Sequence, residues 1–223
     1  EIITANEMVI PVGKPVELNI RSRDVIHSFW IPALNGKMDA TPGSTHFMGL
    51  QANEPGVYEG QCTEFCGLSH GYMRMSVKAL EPAEYEQWLT DQQAPPADPT
   101  DEKAKAGRTA FQSQCAYCHQ VNGLTAEGTY SGDGPVADYQ GLDGAAVPTV
   151  RPEVVPNLTH LMSRDRFAGG MFPLYNTDRT PNEAQLKEWL TDPEAMKPMR
   201  PNHQQGLPNL NLDAAPLDGL VAY

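Results

Sequence analysis

The segment Gln61–Met73 has the sequence QCTEFCGLSHGYM, and it decides how the first part of the chain is interpreted. Two thiols, one imidazole and one thioether fall within it, at Cys62, Cys66, His70 and Met73. Sulfur and imidazole are soft or borderline donors, which suit copper rather than magnesium or calcium. The segment therefore predicts a copper site.

A second imidazole comes from a separate predicted strand, at His27. Two cysteines, two histidines and a methionine exceed what a single tetrahedral ion requires. Structural zinc and a disulfide between Cys62 and Cys66 are the alternatives, but thioether is a poor zinc ligand and so short a loop gains little from a disulfide. Spacing alone leaves Met73 and Met75 open as the thioether donor, because both lie on one face of an alternating strand.

The residues around this segment alternate between apolar and polar as strands do. Alternation is clear at 8–10, 16–20 and 57–60, with turn signals at 11–13, 41–43 and 54–56. This spacing predicts a small all-β sandwich. A short helix over 82–90, which begins with a proline, follows the strands.

A Pro-rich stretch divides the chain. Residues 92–101 contain three prolines and no apolar periodicity, so they are predicted to link a domain of residues 1–91 to a second domain of residues 102–223.

The second domain has a helical pattern. Helices are predicted over 102–114, with Ala106, Ala110 and Phe111 on one face, and over 181–191 and 217–223. The Gly- and Pro-rich stretch from about residue 123 to 156 is predicted to be a surface insertion.

A second motif, CAYCH at Cys115–His119, follows the first of these helices. It is the attachment motif of c-type haem, in which Cys115 and Cys118 form thioether bonds and His119 is the proximal ligand of the iron. A thioredoxin-like redox pair is disfavoured because no β-α-β pattern surrounds the motif, and a zinc ribbon would need a second cysteine pair.

The pattern Cys-x-Glu-x-Cys-Gly-x-x-His-x-x-Met in Cys62–Met73 resembles the dinuclear copper A domain of cytochrome c oxidase subunit II. The resemblance covers residues 1 to about 90 and includes 24–28 and 37–43. It implies a cupredoxin sandwich and favours Met73 over Met75. The implied copper ligands are Cys62 and Cys66 as bridges, His27 and His70 with one copper each, Met73 as a weak axial ligand, and the backbone carbonyl of Glu64.

The same resemblance implies a setting for the domain. The side chain of Glu64 would reach a magnesium site at the interface with subunit I. The family's subunit II also has an N-terminal transmembrane hairpin, which this sequence does not contain. We therefore expect the chain to be the extramembrane portion of a membrane subunit on the outer, periplasmic side.

The second domain resembles the class I cytochromes c, an all-α family, from about residue 102 to 223. Segments 107–111, 156–158 and 186–193 carry the resemblance, and the carbonyl of Pro156 is implied to accept a hydrogen bond from the proximal histidine. Leu207 stands where that family usually has its ligating methionine. Met199 is the preferred distal ligand, with Met196, His203, Met171 and a five-coordinate haem as alternatives.

Together the two resemblances imply the fused subunit II of a caa3-type oxidase. Electrons would pass from a donor, a cytochrome c or a quinol:cytochrome c reductase-type complex, through haem c and copper A to haem a of subunit I. The alternatives are a soluble copper A and haem c carrier, and a component of a nitric oxide or nitrous oxide reductase. The formal charge of −12 argues against nucleic acid as a partner. For Arg164 and Arg166, pairing with haem propionates is the alternative to the default expectation of exposed charges.

Overall fold

The computed structural model describes residues 2–116, 119–121, 156–197, 207 and 209–223. Strands make up most of the first domain. They are β1 Glu7–Pro11, β2 Val16–Ile20, β3 His27–Trp30, β4 Lys37–Ala40, β5 His46–Leu50, β6 Gly56–Gln61 and β7 Arg74–Leu80.

These strands form a sandwich, as predicted. In one sheet β7 lies between β1, which is parallel to it, and β6, which is antiparallel; β2 pairs with β5 and β3 with β4. Ile10 and Val77 of the first sheet share one buried core with Leu18 and Met48 of the β2–β5 pair. The two layers therefore pack face to face, because each has one apolar side to bury.

Helix α1, Pro82–Gln93, follows the sandwich and packs against β1 and β7. It continues three residues beyond the predicted end at residue 90, because no helix-breaking residue occurs before Pro95. Ala94 is already extended, with φ −66° and ψ 146°. The stretch of residues 92–101 thus begins with two helical residues.

The second domain contains helices α2 Glu102–Gln114, α3 Glu183–Thr191, α4 Pro193–Met196 and α5 Ala214–Ala222, and a short hairpin of β8 Arg166–Phe167 and β9 Phe172–Pro173. The helix predicted over 102–114 is confirmed at both ends. Helix α3 begins two residues later than predicted, because Asn182 caps it by accepting a hydrogen bond from Gln185 N at 3.3 Å. Almost all of the predicted insertion lies outside the described residues. Within the described ranges, no helix has the length and apolar character needed to cross a membrane.

Helices α2 and α5 cross at two glycines. A Cβ on Gly107 would lie 1.9 Å from the carbonyl oxygen of Gly219, so the two backbones are in direct contact. The buried face of α2 includes Ala104 and Phe111, whereas Ala106 is exposed. The predicted placement of Ala106 on the apolar face was wrong, because the close crossing with α5 orients the helix around Gly107.

Candidate metal and haem sites

The loop that carries the first motif is attached to two strands of the sandwich. Cys62 directly follows β6, is 4% exposed, and donates its backbone N–H to the carbonyl of Met73 at 3.0 Å. Thr63 donates its backbone N–H to the carbonyl of Ser28 in β3 at 3.2 Å. The buried thiol is therefore held between the ends of β6, β3 and β7.

Two donors lie close to the thiol of Cys62. Its Sγ is 3.9 Å from Nδ1 of His27 and 3.3 Å from the carbonyl oxygen of Glu64. The sulfur and imidazole donors of His27, Cys62 and Cys66 all lie within 4.8 Å of one another.

A different pair of donors lies close to the thiol of Cys66. Its Sγ is 3.5 Å from Nδ1 of His70 and 4.0 Å from Sδ of Met73. The ring of Phe65 packs edge-on against His70, with centroids 5.7 Å apart, and limits how that imidazole can turn.

The two thiols lie between these donor groups. Sγ of Cys62 and Sγ of Cys66 are 3.9 Å apart and both cysteines are free, whereas a disulfide would bring them to about 2.05 Å. Ligands bonded to one tetrahedral ion at 2.0–2.3 Å are about 3.3–3.8 Å apart, so the sulfur and nitrogen donors leave room for an ion. Because each thiol has its own imidazole and its own weak donor, the set fits two ions that share the sulfurs.

Asp24 orients the imidazole of His27, a role that the sequence pattern did not predict. Its Oδ1 lies 2.8 Å from Nε2 of His27, on the side of the ring opposite Cys62. Burial acts to raise the pKa of Asp24, but hydrogen bonds from His27, the backbone of Val25 and Ser22 outweigh it and hold that pKa below its usual value. A carboxylate behind a histidine is the arrangement that fixes ring orientation at metal sites. The sequence signal that could have predicted this role is an acidic residue three positions before the histidine.

Burial and the adjacent Cys62 raise the pKa of the Cys66 thiol to about 11. A cation that binds both sulfurs as thiolates has to displace their protons, so binding is coupled to proton release.

His119 of the second motif is held by a backbone carbonyl. Its Nδ1 lies 2.9 Å from the carbonyl oxygen of Pro156, the partner that the resemblance implied. Burial lowers the pKa of His119, although the bond to Pro156 acts to raise it. A neutral ring that donates a hydrogen bond through Nδ1 leaves the lone pair of Nε2 available to bind a metal. An axial iron ligand requires such a lone pair.

Cys115 directly follows helix α2 and lies beside a small apolar cluster. It is half-buried, and its carbonyl accepts the backbone N–H of His119 at 2.8 Å. The cluster next to it comprises Phe111, Ala116, Val121, Leu158 and Leu220. Cys118 lies outside the described residues. A thiol and a neutral imidazole beside apolar side chains fit a covalently attached haem.

The candidates for the distal iron ligand fall in different places. Met171 lies in the turn between β8 and β9, and Met196 is the last residue of α4. Leu207 is half-buried. Met199 and His203 lie outside the described residues.

Arg164 is buried, whereas an exposed charge was predicted from the sequence. It is 5% exposed and donates a hydrogen bond to the carbonyl of Asn157, next to Pro156. Burial lowers the pKa of Arg164. Nothing in the local sequence distinguishes it from a surface arginine, because its burial comes from packing between distant segments.

The fold and the two sites define the class: a cupredoxin-like domain followed by a cytochrome c domain. Residues 1–80 match the family model for the periplasmic domain of cytochrome c oxidase subunit II, and residues 104–223 match the model for cytochrome c. The cytochrome c model covers more than half of the chain, so the chain belongs to the cytochrome c family, and its first 80 residues form a domain of the subunit II periplasmic family. Domains of these two families imply copper and haem.

Curated relatives agree with this assignment. Cytochrome c oxidase subunit 2 of Alkalihalophilus pseudofirmus is 33% identical over 218 residues, which are 97% of this chain and 53% of the relative. The protein of the same name from Bacillus sp. strain PS3 is 32% identical over 204 residues, 88% of this chain and 49% of the relative. The chain therefore spans about half the length of the curated relatives that it matches.

A solved structure is also similar to part of the chain. The periplasmic domain of subunit II of cytochrome oxidase (CoxB) of Bradyrhizobium japonicum is 31% identical, covering 41% of this chain and 75% of that chain, with a TM-score of 0.38.

Proposed function

We propose that this chain is the electron-transfer subunit of a haem-copper terminal oxidase. In this role electrons pass from a donor through haem c to dinuclear copper A, and on to haem a of subunit I for the reduction of oxygen to water. The observation that carries the proposal is the pair of sites: a two-thiol, two-imidazole cluster in one domain and a haem-attachment motif in the next.

The residues proposed to hold copper provide thiolate, imidazole and weaker donors. The sulfurs of Cys62 and Cys66, which face each other at 3.9 Å, would both hold the two ions. His27 and His70 would each add an imidazole donor, and Met73 and the carbonyl of Glu64 would add weak donors. Copper bound in this way supplies a one-electron carrier, and the chain needs no general acid or base.

In the second domain, Cys115 and Cys118 are proposed to attach the haem, with His119 and Met199 as axial ligands. The carbonyl of Pro156 holds the tautomer and the direction of His119. A methionine as second ligand keeps the haem potential higher than a histidine would.

The partners and the location are part of the same proposal. The exposed side chain of Glu64 is proposed to reach a magnesium ion at the interface with subunit I, and other oxidase subunits complete the assembly. The donor, a cytochrome c or a quinol:cytochrome c reductase-type complex, docks on the haem domain. The site of action is the periplasmic face of the cell membrane, where a transmembrane anchor outside residues 1–223 holds the subunit.

Metal and haem analysis of the chain expressed with haem attachment tests this proposal. We expect two coppers and one covalent haem per chain, c-type Soret and α bands of a six-coordinate haem, and the near-infrared band of a mixed-valence copper pair. The Cys62→Ser variant should lose the near-infrared band and keep the haem bands, because it removes one bridging sulfur. A colourless protein, or one copper per intact chain, would refute the proposal.

A further inference from the structure

Residues 160–170 of the cytochrome c domain lie against the cupredoxin-like domain and the end of α1. Hydrogen bonds mark the contact: His160 Nε2 lies 3.1 Å from the carbonyl of Ala94, Gln92 Nε2 donates to Ser163 Oγ at 3.0 Å, and Arg74 N donates to the carbonyl of Gly169 at 3.1 Å. The contact therefore reaches from the end of α1 to the first residue of β7.

The last of these bonds extends a connection that begins at the copper-ligand loop. The carbonyl of Met73 accepts the backbone N–H of Cys62, and the N–H of the same peptide group, that of Arg74, donates to Gly169. One peptide group between Met73 and Arg74 thus joins the loop of the first site to the cytochrome c domain.

Two glycines let the backbones come this close. Gly169 and Gly170 both have positive φ angles, +77° and +78°, which residues other than glycine rarely adopt. A Cβ on Gly170 would lie 3.0 Å from the carbonyl oxygen of Arg74. The turn between β8 and β9 is therefore shaped to fit the start of β7.

Opposite charges line the same contact. Lys78 Nζ in β7 lies 3.0 Å from Oδ2 of Asp165, and both side chains are less than a third exposed. Arg166 Nη2 lies 3.5 Å from Oε1 of Glu59 in β6. The backbone N–H of Asp165 also donates to the carboxylate of Glu7 in β1. The partly buried pair of Lys78 and Asp165 orients the two surfaces more strongly than an exposed pair does, because water screens it less.

We propose that this contact, which we call the domain latch, holds the cytochrome c domain in one docked position beside the copper loop. It is defined by Lys78 and Arg74 on β7 and by Asp165 and Gly170 on the other domain. Asp165 is then a positioning residue, and the Pro-rich stretch connects domains that are already in contact. The consequence for electron transfer rests on the proposed function. One electron crosses a fixed interface between the two domains, and no bond is made or broken.

Charge reversal in the full chain with its cofactors tests the domain latch. Lys78→Glu places a like charge against Asp165, so we expect a larger maximum dimension in small-angle X-ray scattering. We also expect the internal transfer rate after photoreduction of the haem to fall by about tenfold or more, because an undocked domain has only its tethered effective concentration. Lys105→Glu is the control, since Lys105 pairs at 2.7 Å with Glu102 within α2.

A steric variant provides a second, independent test. Gly170→Ala adds a Cβ against Arg74, whereas Gly43→Ala adds one at the same φ of +78° with nothing within 4 Å. Both substitutions carry the same backbone penalty, so only Gly170→Ala should enlarge the molecule in scattering.

Unchanged dimensions in both Lys78→Glu and Gly170→Ala, with haem and copper spectra intact, would overturn the domain latch. The same holds if Lys105→Glu and Gly43→Ala enlarge the molecule equally. The scattering result does not depend on electron transfer. A chain without two coppers therefore refutes the proposed function alone, and expanded variants of that chain still support the domain latch.

Discussion

Met73 directly precedes β7 and Met75 is its second residue, but their side chains have different surroundings. Sδ of Met73 lies 4.0 Å from Sγ of Cys66, whereas Met75 packs against the apolar core of the sandwich. The distances support Met73 as the thioether donor, the choice that the resemblance favoured and that spacing left open.

Met73→Leu should keep both coppers and raise the reduction potential of the first site. Leucine fills a similar volume without a donor, so the bridging sulfurs and imidazoles remain while the oxidised state loses a weak ligand. We expect a rise of about 60 mV, which is a tenfold change in a one-electron equilibrium. Redox titration of the near-infrared band measures it.

Met75→Leu is the matched control. It alters the core beside the same strand by a volume-conserving change that costs less than about 1.5 kcal/mol of unfolding free energy. Its potential should equal that of the unchanged protein. A shift in Met75→Leu with none in Met73→Leu would reverse the assignment of the donor.

At the scale of single residues, the sequence predicts those metal donors that lie close to one another along the chain. Cys62, Cys66 and His70 share one loop, so their spacing alone brings them together. The role of Asp24 depends on the turn before β3, and the burial of Arg164 depends on packing with the Asn157 carbonyl. Neither follows from residue type, because both are set by backbone positions in three dimensions.

At the scale of helices and strands, the crossing of α2 and α5 leaves no space for a side chain at Gly107. The backbones meet at Gly107 and Gly219, and the ring of Phe111 packs 5.9 Å from that of Tyr223 one turn further along. A side chain at the crossing would force the helices apart.

Gly107→Ala should therefore lower the free energy of unfolding of the cytochrome c domain. Alanine is favoured over glycine in a helix by about 1 kcal/mol, but a Cβ 1.9 Å from the carbonyl of Gly219 cannot be accommodated without moving backbone. We expect a net loss of about 2 kcal/mol, typical of overpacking, in thermal unfolding followed by haem absorbance.

Gly49→Ala serves as the comparison, because a Cβ there meets nothing within 4 Å. It should leave the unfolding temperature unchanged or slightly raised. If Gly107→Ala were as stable as Gly49→Ala, α2 and α5 would not pack through these glycines.

The helices show what local patterns can and cannot predict. Helix α2 was predicted at its observed bounds, and in the structure Asp101 caps its start by accepting a hydrogen bond from Ala104 N at 2.9 Å. Its buried face was predicted less well, since Ala106 and Ala104 are equally apolar and only the approach of α5 decides which one is covered.

At the scale of the whole molecule, two carboxylates at the domain latch respond to pH in opposite directions. Burial raises the pKa of Glu7, and Lys78 only partly offsets this. Burial acts in the same sense on Asp165, but hydrogen bonds from Lys78 and Arg179 hold the pKa of Asp165 below its usual value. Arg164 also faces Glu7 and favours its charged form.

Docking should accordingly be tightest in mildly acidic solution. Protonation of Glu7 favours the docked form, and this contribution is lost as the pH rises through its raised pKa. Ionised Asp165 also stabilises the docked form. This stabilisation is present above the usual aspartate pKa of about 3.9 and is lost as the pH falls through the lowered pKa of Asp165. The maximum dimension from scattering should be smallest between about pH 4 and 5. Steady expansion from pH 7 down to 4 would contradict this assignment.

In the first domain the first strand pairs with the last, β1 with β7, and in the second domain the first helix crosses the last, α2 with α5. During synthesis, the sandwich can close once Leu80 has emerged from the ribosome, before the cytochrome c domain has emerged. The second domain cannot close until α5 is made, so Cys115 and His119 stay accessible to the haem-attachment machinery until then. A chain that stops at residue 213 would lose the whole second domain and retain a folded first one.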